Sequence, residues 1–347
     1  MKHIHGGNIY QYESILDFSA NLNPLGMPEA VKEAAKRGID ASVHYPDPDC
    51  GKLRAALEKR EGVPAGQIIC GNGAAELIFL LAAARRPKRA VLMAPSFAEY
   101  GQALEAFGCS CVYDCLQPER GFAPEKEYLR LLTPETDMVF LCNPNNPTGL
   151  LTERDFLNEV LERCRRNGIL LVTDECFLDF TGKKEDYTMV PELSGGGLFV
   201  LKAFTKLYAM AGLRLGYGMC ADPELLDLMN RLRQPWSVSV PAQEAGCAAL
   251  LEKEYERKTV LYVKQEREWL AEKLSGYPLT LYPGQANYLF FRSDIIDLKE
   301  RLIGQGILIR DCSNYVGLEP GYYRIAVRTR RENERLIQAM DRICQTG

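Results

Sequence analysis

Short and almost entirely apolar runs recur along the first two thirds of the chain, each followed by small or polar residues. Stretches with apolar residues at helical spacing lie between them. Continuous apolar strands that alternate with helices are typical of a mostly parallel sheet covered by helices on both faces. The pattern therefore predicts an α/β fold. The runs that we interpret as strands of this sheet are 68–70, 90–93, 138–142, 169–173, 198–201 and 215–219.

The same pattern predicts three parts. Residues 1–27 are rich in glycine and asparagine, which is typical of an irregular N-terminal arm. Residues 28–235 contain the strands given above and form the predicted large domain. Residues 236–347 form the predicted smaller C-terminal α/β domain. Its predicted elements are a long helical region over 242–274, strands near 280–281, 288–291, 307–309 and 323–327, and a closing helix over 330–343.

Charge and composition limit the possible partners. The formal net charge of the 347 residues is −4, which gives no electrostatic argument for a nucleic-acid or anionic-membrane partner. No apolar run approaches the roughly 20 residues that a membrane-spanning helix needs. Residues Met1–His5 do not resemble the start of a signal peptide. We therefore expect a cytoplasmic protein.

Twelve cysteines raise the question of a metal site. Most of them lie singly in apolar runs, where a thiol behaves as a small apolar side chain. Cys109, Cys111 and Cys115 cluster, but they lack the paired C-x-x-C spacing of a metal site and no histidine lies near. We expect no metal, and the sequence leaves the role of this cluster open.

Five features of the sequence each follow a predicted strand of this sheet. They are the turn 71–75, Phe97, Asn146, Asp174 and Lys206. In open α/β sheets, ligands bind at the carboxyl ends of the strands. We therefore expect these five features to meet at one place.

The turn 71–75 suits an anion, because it joins a strand to the N-terminus of a helix, where backbone N–H groups converge. A dinucleotide site would also need a third glycine and an acidic residue about 20 positions further on. Glu76 occupies the position of the third glycine, and no acidic residue lies between Glu76 and Glu99. The sequence therefore argues against a nicotinamide dinucleotide.

Together, these residues suit pyridoxal 5'-phosphate. A desolvated Lys206 can attack the cofactor's aldehyde carbon, and Asp174 can pair with its pyridinium nitrogen. Phe97 can stack on the ring, and Asn146 can donate to the ring oxygen. Arg214 can bind the phosphate in bidentate fashion. Each residue alone also has a structural explanation, so the argument depends on their combination and order.

Specific motifs carry a family resemblance. Asn146-Pro147-Thr148-Gly149, Asp174-Glu175, and Thr205-Lys206 with Arg214 make the chain resemble the fold-type I pyridoxal-phosphate enzymes of the class I/II aminotransferase superfamily from end to end. The resemblance implies that Lys206 is the Schiff-base lysine and Asp174 its pyridinium partner. It also implies a homodimer in which Tyr45 reaches the neighbouring subunit's cofactor phosphate. The implied cofactor-binding residues are Gly73, Ala74, Ala75, Phe97, Asn146, Asp174, Thr205, Lys206, Arg214 and Tyr45.

Other segments resemble one group within this superfamily. The segments 5–8, 17–26, 234–238, 307–315 and 322–328 are similar to the L-threonine-O-3-phosphate decarboxylases of cobalamin biosynthesis, which are close to the histidinol-phosphate aminotransferases. This resemblance implies decarboxylation of L-threonine O-3-phosphate to (R)-1-amino-2-propanol O-2-phosphate for the cobalamin nucleotide loop.

A small phosphorylated amino-acid substrate needs cations and amides around it. Arg324 matches the arginine that holds the substrate carboxylate or its equivalent in the family. Arg328 could instead be a solvated surface charge and His5 an ordinary arm residue, and the sequence leaves both interpretations open. The substrate-binding candidates are His5, Gly6, Gly7, Asn8, Asn21, Asn23, Arg310, Arg324 and Arg328.

Two positions depart from the family pattern. Phe177 stands where aminotransferases often have a tyrosine that donates to the ring oxygen, which favours the decarboxylase. Ala203 stands where a phosphate-binding Ser or Thr is common, so phosphate binding would depend more on Thr205 and Arg214.

Three alternatives stay open at this point. The chain could be a histidinol-phosphate-type aminotransferase, or a pyridoxal-phosphate-binding regulatory protein without turnover, although it has no DNA-binding arm or extra domain. A decarboxylase could also act on L-serine O-phosphate, because one methyl group gives only about 1–3 kcal/mol of discrimination.

Overall fold

A computed structural model of the chain describes residues 5–345. The first four residues of the predicted arm and the last two of the predicted C-terminal domain lie outside the described residues. The strands are β1 (Leu16–Asp17), β2 (Ile68–Gly71), β3 (Arg89–Ala94), β4 (Ser110–Cys115), β5 (Met138–Cys142), β6 (Leu170–Asp174), β7 (Leu198–Ala203), β8 (Gly216–Cys220), β9 (Leu279–Leu281), β10 (Tyr288–Ser293), β11 (Ile307–Leu308), β12 (Arg310–Asp311) and β13 (Tyr322–Ala326). The helices are α1 (Glu29–Asp40), α2 (Gly51–Glu61), α3 (Ala74–Arg85), α4 (Ala98–Ala106), α5 (Arg154–Asn167), α6 (Lys184–Tyr187), α7 (Phe204–Leu207), α8 (Pro223–Leu232), α9 (Val240–Ala249), α10 (Lys253–Leu274), α11 (Leu298–Ile303) and α12 (Arg330–Gln345).

Seven strands form the central sheet, in the order β2-β8-β7-β6-β5-β3-β4. The strands β3 to β7 pair in parallel, whereas β8 runs antiparallel to its neighbours β2 and β7. This confirms the predicted, mostly parallel sheet. Because β3, β5, β6 and β7 point the same way, the residues that follow them emerge at one edge.

The sheet contributes to two apolar cores, one on each face. Val139 of β5 and Leu171 of β6 belong to one cluster, and their neighbours Phe140 and Val172 belong to the other. Successive side chains of a strand point to opposite faces, so a strand that is apolar throughout supplies both cores. Burying one such side chain fully stabilises the fold by about 1.5–3 kcal/mol. The strands whose ends carry the candidate residues are therefore held firmly in place.

The strand β4 is the one element of this sheet that the apolar pattern does not predict. It pairs with β3 at the edge, and most of its side chains are partly exposed. Cys111 and Cys115 lie in it and Cys109 precedes it, so the cysteine cluster belongs to an edge strand. Between residues 5 and 345, no group of three or more His, Cys, Asp or Glu side chains is arranged to hold a metal ion.

A second, four-stranded antiparallel sheet, in the order β12-β13-β10-β9, forms the C-terminal part. Its core includes Leu270 and Leu274 of α10, Phe291 of β10 and Leu336 of α12. None of the helices in the described range combines the length and apolar character that crossing a membrane requires.

The predicted helical region over 242–274 consists of two helices, α9 and α10, with a break between Ala249 and Lys253. The N-terminus of α9 lies against α1 in the large part of the chain. A Cβ added to Gly38 of α1 would lie only 2.6 Å from the Cα of Pro241, so glycine permits this close contact. The sequence contains no strong helix breaker between α9 and α10, so the pattern alone does not show where the first helix ends.

The N-terminal arm connects the two parts. Leu16 and Asp17 of β1 pair in parallel with β11, and Phe18 is buried in the C-terminal core. Further along the arm, the backbone N–H of Asn23 donates to the backbone oxygen of Lys206 at 3.1 Å. The arm therefore lies beside the edge of the central sheet where the candidate residues emerge.

Candidate active site

A cavity of about 250 Å³ lies at the carboxyl ends of β5, β6 and β7, between the central sheet, the arm and the C-terminal part. Its wall brings together most of the residues predicted from the sequence. These are His5, Gly6, Asn21, Ala74, Ala75, Phe97, Asn146, Asp174, Thr205, Lys206, Arg214, Arg310 and Arg324.

Lys206 lies in α7, the short helix that follows β7. Burial lowers the pKa of its ammonium group to about 8, with a further contribution from the positive charges of Arg324 and Arg214. The Nζ atom lies 5.7 Å from the centre of the Phe177 ring. A buried lysine with a lowered pKa has a substantial neutral fraction near pH 8, which is the form that attacks a carbonyl carbon.

Asp174 is the last residue of β6 and is buried. Its Oδ1 atom accepts a hydrogen bond from the backbone N–H of Cys176 at 2.9 Å, and its Oδ2 atom accepts one from the hydroxyl of Tyr100 at 2.6 Å. These two bonds fix the direction of the carboxylate toward the cavity.

Sequence reasoning missed Tyr100. Its ring stacks on Phe140 with centroids 4.8 Å apart, and it meets the ring of Phe97 edge-on at 5.5 Å. Burial and the adjacent Asp174 raise the pKa of the Tyr100 phenol, so the hydroxyl stays a donor. The sequence did contain a signal for it. Tyr100 follows Phe97 by three positions, and residues with this spacing lie on the same face of a helix.

A glycine turn and an arginine form a site for an anion at the N-terminus of α3. Gly73 has a φ of +80°, and a Cβ at this position would lie 3.0 Å from the Cζ atom of Arg214. A Cβ on Gly216 would lie 2.5 Å from the backbone nitrogen of Ala74. The two glycines therefore allow the guanidinium and the free N–H groups of the helix to converge.

Arg324 of β13 binds three groups, which come from two segments of the chain. It donates to the side-chain oxygen of Asn146 and, at 2.8 Å, to the backbone oxygen of Ser19. Asn21 accepts two more bonds, of 3.2 and 3.3 Å, when its amide oxygen faces the guanidinium. With its oxygen occupied in this way, Asn146 turns its amide NH₂ away from Arg324.

Arg310 of β12 is the second buried arginine of the cavity. It donates to Asn314 at 2.8 Å and lies 5.2 Å from the centre of the Tyr315 ring. It also lines an adjoining cavity of about 550 Å³, between the arm and the C-terminal part. Gly7 and Asn8 line only this second cavity, whereas His5 and Gly6 line both.

His5 is held at the mouth of the first cavity by Glu99. Its Nδ1 atom lies 2.8 Å from the Oε1 atom of Glu99, which is in the first turn of α4. Glu99 was not predicted as a site residue. Its position two residues after Phe97 gave no pattern that would have found it.

Comparison with known proteins decides the family. The model of the family "Aminotransferase class I and II" matches residues 13–340. The chain belongs to the aminotransferase class I and II family.

Three known proteins illustrate the similarity. Threonine-phosphate decarboxylase from Salmonella typhimurium is 42% identical over 97% of this chain and 95% of its own length. The crystal structure of histidinol-phosphate aminotransferase from Clostridium acetobutylicum has 28% identity and a TM-score of 0.89, covering 96% of this chain and 100% of the other. The structure of L-threonine-O-3-phosphate decarboxylase from Porphyromonas gingivalis has 24% identity and a TM-score of 0.82, covering 94% and 99%, and shows the shared fold.

As a member of this family, the protein is a pyridoxal 5'-phosphate-dependent enzyme. The cavity fits that cofactor. The close approach of the Gly73 turn to Arg214 suits a phosphate, and the fixed carboxylate of Asp174 suits a protonated ring nitrogen. Lys206, with its lowered pKa, suits an aldehyde carbon. The donor set therefore agrees with the cofactor's three functional groups.

Two predicted substrate contacts lie elsewhere. The side chain of Asn23 donates to the backbone oxygen of Leu207 at 2.7 Å and to the hydroxyl of Thr259 at 2.8 Å, so its amide is fully used in holding the arm. Arg328 donates to Glu332 at 2.7 Å and lines a separate surface cavity. For these two residues the structure differs from the prediction.

Tyr45 also lies outside the cavity of its own chain. Its ring is 78% exposed and stacks on Trp236, with centroids 4.4 Å apart. Two large aromatic rings therefore stand together on the surface, which matters for the assembly proposed below.

Proposed function

We propose that this enzyme decarboxylates L-threonine O-3-phosphate, releasing CO₂ and (R)-1-amino-2-propanol O-2-phosphate for the nucleotide loop of cobalamin. The observation that carries the choice of substrate is the 42% identity, over 97% of the chain, to the threonine-phosphate decarboxylase of Salmonella typhimurium. Phe177, which stands where aminotransferases often have a tyrosine, lines the wall of the cavity and agrees with this choice of substrate.

The charges of the cavity support a substrate with two anionic groups. Arg310 and Arg324 are both buried and both line the wall with Lys206. Buried arginines suit the planar, bidentate contacts that carboxylate and phosphate groups accept. We assign the substrate carboxylate to Arg324, and the substrate phosphate to Arg310 together with His5 and Asn21. Gly6, Gly7 and Asn8 line the path from the adjoining cavity.

The residues that hold the cofactor follow from the fit of the cavity. Gly73, Ala74, Ala75, Thr205 and Arg214 would hold its phosphate. Phe97 would cover its ring, and the NH₂ group of Asn146 would donate to its ring oxygen. Asp174 would keep the proton on its ring nitrogen.

Pyridoxal 5'-phosphate, when bound, supplies an electron-withdrawing ring that takes up the electron pair of a breaking bond at Cα. The chain would select the bond that breaks by the direction in which it holds the substrate carboxylate. Arg324, fixed by Asn146 and the backbone of Ser19, orients the carboxylate for loss as CO₂. After CO₂ leaves, Lys206 or a water would deliver a proton to Cα.

We further propose a homodimer in which Tyr45 contacts the cofactor phosphate of the neighbouring subunit. The exposed stack of Tyr45 and Trp236 supports this, because large exposed aromatic side chains are typical of protein interfaces. Sedimentation of the protein measures its mass in solution. A monomer, or a Tyr45→Ala variant with unchanged cofactor affinity, would contradict this assignment.

A histidinol-phosphate-type aminotransferase is the second candidate. The TM-score of 0.89 to the Clostridium acetobutylicum enzyme favours it, as the two chains overlap almost completely. Both candidates would use the same cofactor, and they differ in the bond at Cα that is broken.

Product analysis separates the candidates. The protein is incubated with L-threonine O-3-phosphate and pyridoxal 5'-phosphate in the absence of any keto acid. Sustained release of CO₂ with formation of 1-amino-2-propanol phosphate supports the proposal. Absence of CO₂, with 2-oxoglutarate-dependent turnover of histidinol phosphate, would move the protein to the aminotransferases. L-Serine O-phosphate in a parallel reaction tests the role of the substrate methyl group.

A further inference from the structure

A cluster of five interacting side chains, four of them charged, lies outside the cavity, beside the strands that carry the cofactor residues. Its members come from five separate elements or their ends. They are Glu61 at the end of α2, Glu175 after β6, Lys184 of α6, Lys202 of β7 and Tyr217 of β8. None of these side chains has a role in the chemistry proposed above.

Lys202 lies at the centre of this cluster. Its Nζ atom is 3.0 Å from Glu61 and 3.6 Å from Glu175. The three side chains are almost completely buried, at 3% exposure or less. Glu61 also binds Lys184 at 3.1 Å and accepts a hydrogen bond from Tyr217 at 2.8 Å. Two carboxylates and two ammonium groups thus balance each other inside the protein.

Glu175 is fixed on every side. It accepts hydrogen bonds of 2.7 Å from the hydroxyl of Thr188 and from the backbone N–H of Met189. Its own backbone N–H donates to the oxygen of Leu201 at 2.8 Å, which continues the pairing of β6 with β7. The contact of Glu175 with Lys202 adds a side-chain link between the same two strand ends.

The two residues of this link lie close along the chain to two residues that line the cavity. Glu175 directly follows Asp174, and Lys202 precedes Lys206 by four residues. Asp174 lines the cavity, whereas its neighbour Glu175 reaches the cluster, as expected for successive side chains of an extended segment. The link therefore lies immediately behind the points where the acid and the reactive lysine emerge.

We propose that Lys202 is a positioning residue: by binding Glu61 and Glu175, it sets where β7 ends relative to β6 and so where Lys206 lies relative to Asp174. Cofactor contacts tolerate little displacement, since an error of about 1 Å in a reacting group can cost about 100-fold in rate. Removing the ammonium group leaves two facing carboxylates that repel each other. Glu175 also loses its side-chain link to β7.

The inference rests on the proposed role of Lys206 as the cofactor-bearing residue, but not on the identity of the substrate. The test therefore uses no substrate. It compares the wild type with Lys202→Met and Lys202→Arg in three measurements. These are the dissociation constant of pyridoxal 5'-phosphate from the apo-protein, the pH midpoint of the visible absorption of the bound cofactor, and the thermal unfolding midpoint of the apo-protein.

For Lys202→Met, we expect the dissociation constant to rise by about tenfold or more and the pH midpoint to rise, because a positive charge is lost behind the lysine. Lys202→Arg should restore both values, since a guanidinium can bridge the two carboxylates. Glu266→Gln is the matched control. It breaks a buried carboxylate's 3.0 Å pair with Arg330 in the C-terminal part, so it should lower the unfolding midpoint and leave both cofactor values unchanged.

A Lys202→Met protein that unfolds at lower temperature but keeps the wild-type dissociation constant and pH midpoint would overturn the proposal. If this variant does not fold, Lys202→Met with Glu61→Gln removes one positive and one negative charge together and is measured in its place. Loss of the visible band in Lys206→Ala tests the role of Lys206 separately.

Discussion

Tyr100 donates a 2.6 Å hydrogen bond to Asp174 while its ring supports Phe97 from behind. One side chain therefore connects the acid proposed for the cofactor's ring nitrogen with the aromatic ring proposed to cover its face. Asp174 depends on the hydroxyl of Tyr100, and Phe97 depends on its ring. A substitution that removes only the hydroxyl therefore separates the two contributions.

Tyr100→Phe should weaken cofactor binding and leave the fold intact. The variant keeps the stack on Phe140 but removes one of the two hydrogen bonds that Asp174 accepts. A hydrogen bond to a charged group contributes about 1.5–3 kcal/mol, so the dissociation constant of pyridoxal 5'-phosphate should rise by about 10- to 100-fold. Fluorescence titration of the apo-protein measures it.

Tyr128→Phe is the control for this prediction. Tyr128 is also fully buried, but its hydroxyl has no hydrogen-bond partner among the described residues. Its removal should leave cofactor affinity unchanged and should not destabilise the protein. Equal cofactor affinities of the two variants would show that the Tyr100 hydroxyl does not support Asp174.

Lys206 should make the stability of the apo-protein depend on pH. Its pKa of about 8 in the folded state is below the usual 10.5, so between these values the unfolded chain binds more protons than the folded one. The free energy of unfolding should therefore rise with pH across this window, by about 3 kcal/mol in total from this group. Lys206→Met should lack this contribution. Urea unfolding of both apo-proteins at pH 7 to 10.5 measures the difference, and parallel curves would contradict the lowered pKa.

Arg310 and Arg328 should respond differently to truncation. We expect Arg310→Ala to raise the KM for L-threonine O-3-phosphate by about 100-fold, because a buried charged contact is worth about 2–5 kcal/mol. Arg328→Ala should leave KM unchanged, as its side chain pairs with Glu332 outside the cavity. Steady-state kinetics of the two variants checks this. A KM that rises only in the Arg328 variant would reverse the assignment of the substrate phosphate.

Asn23→Ala should act on stability. The variant leaves the buried oxygen of Leu207 and the hydroxyl of Thr259 without their partner, at a cost of about 2–4 kcal/mol in the free energy of unfolding. Asn8→Ala, an exposed change in the same arm, should alter it by less than about 0.5 kcal/mol. Chemical denaturation of both variants tests the pair, and similar losses would show that Asn23 does not anchor the arm.

Most of the site could be predicted because the decisive residues follow buried strands. An apolar run such as 138–142 fixes a strand, and the strand fixes where Asn146 emerges. The edge strand β4 could not be found in this way, since Ser110, Asp114 and Cys115 interrupt its apolar pattern. An edge strand is half solvated, and its sequence reflects that.

Two of the predicted substrate contacts lie outside the cavity for a different reason. Asn23 and Arg328 lie within two or four residues of Asn21 and Arg324, which do line the cavity. A motif groups residues by their distance along the chain, but the direction of a side chain changes within one or two residues. Proximity along the sequence therefore predicts which segments reach the cavity better than which of their side chains line it.

The bond from Arg324 to the backbone of Ser19 joins residues 305 positions apart, and β1 pairs with β11 over a similar separation. During synthesis on the ribosome, residue 19 emerges long before residue 324 exists. The central sheet can form as the chain grows, but the wall of the cavity that the arm and β13 build together is completed only at the end. A nascent or C-terminally truncated chain could thus retain the lysine and the acid and still lack the means to orient a substrate.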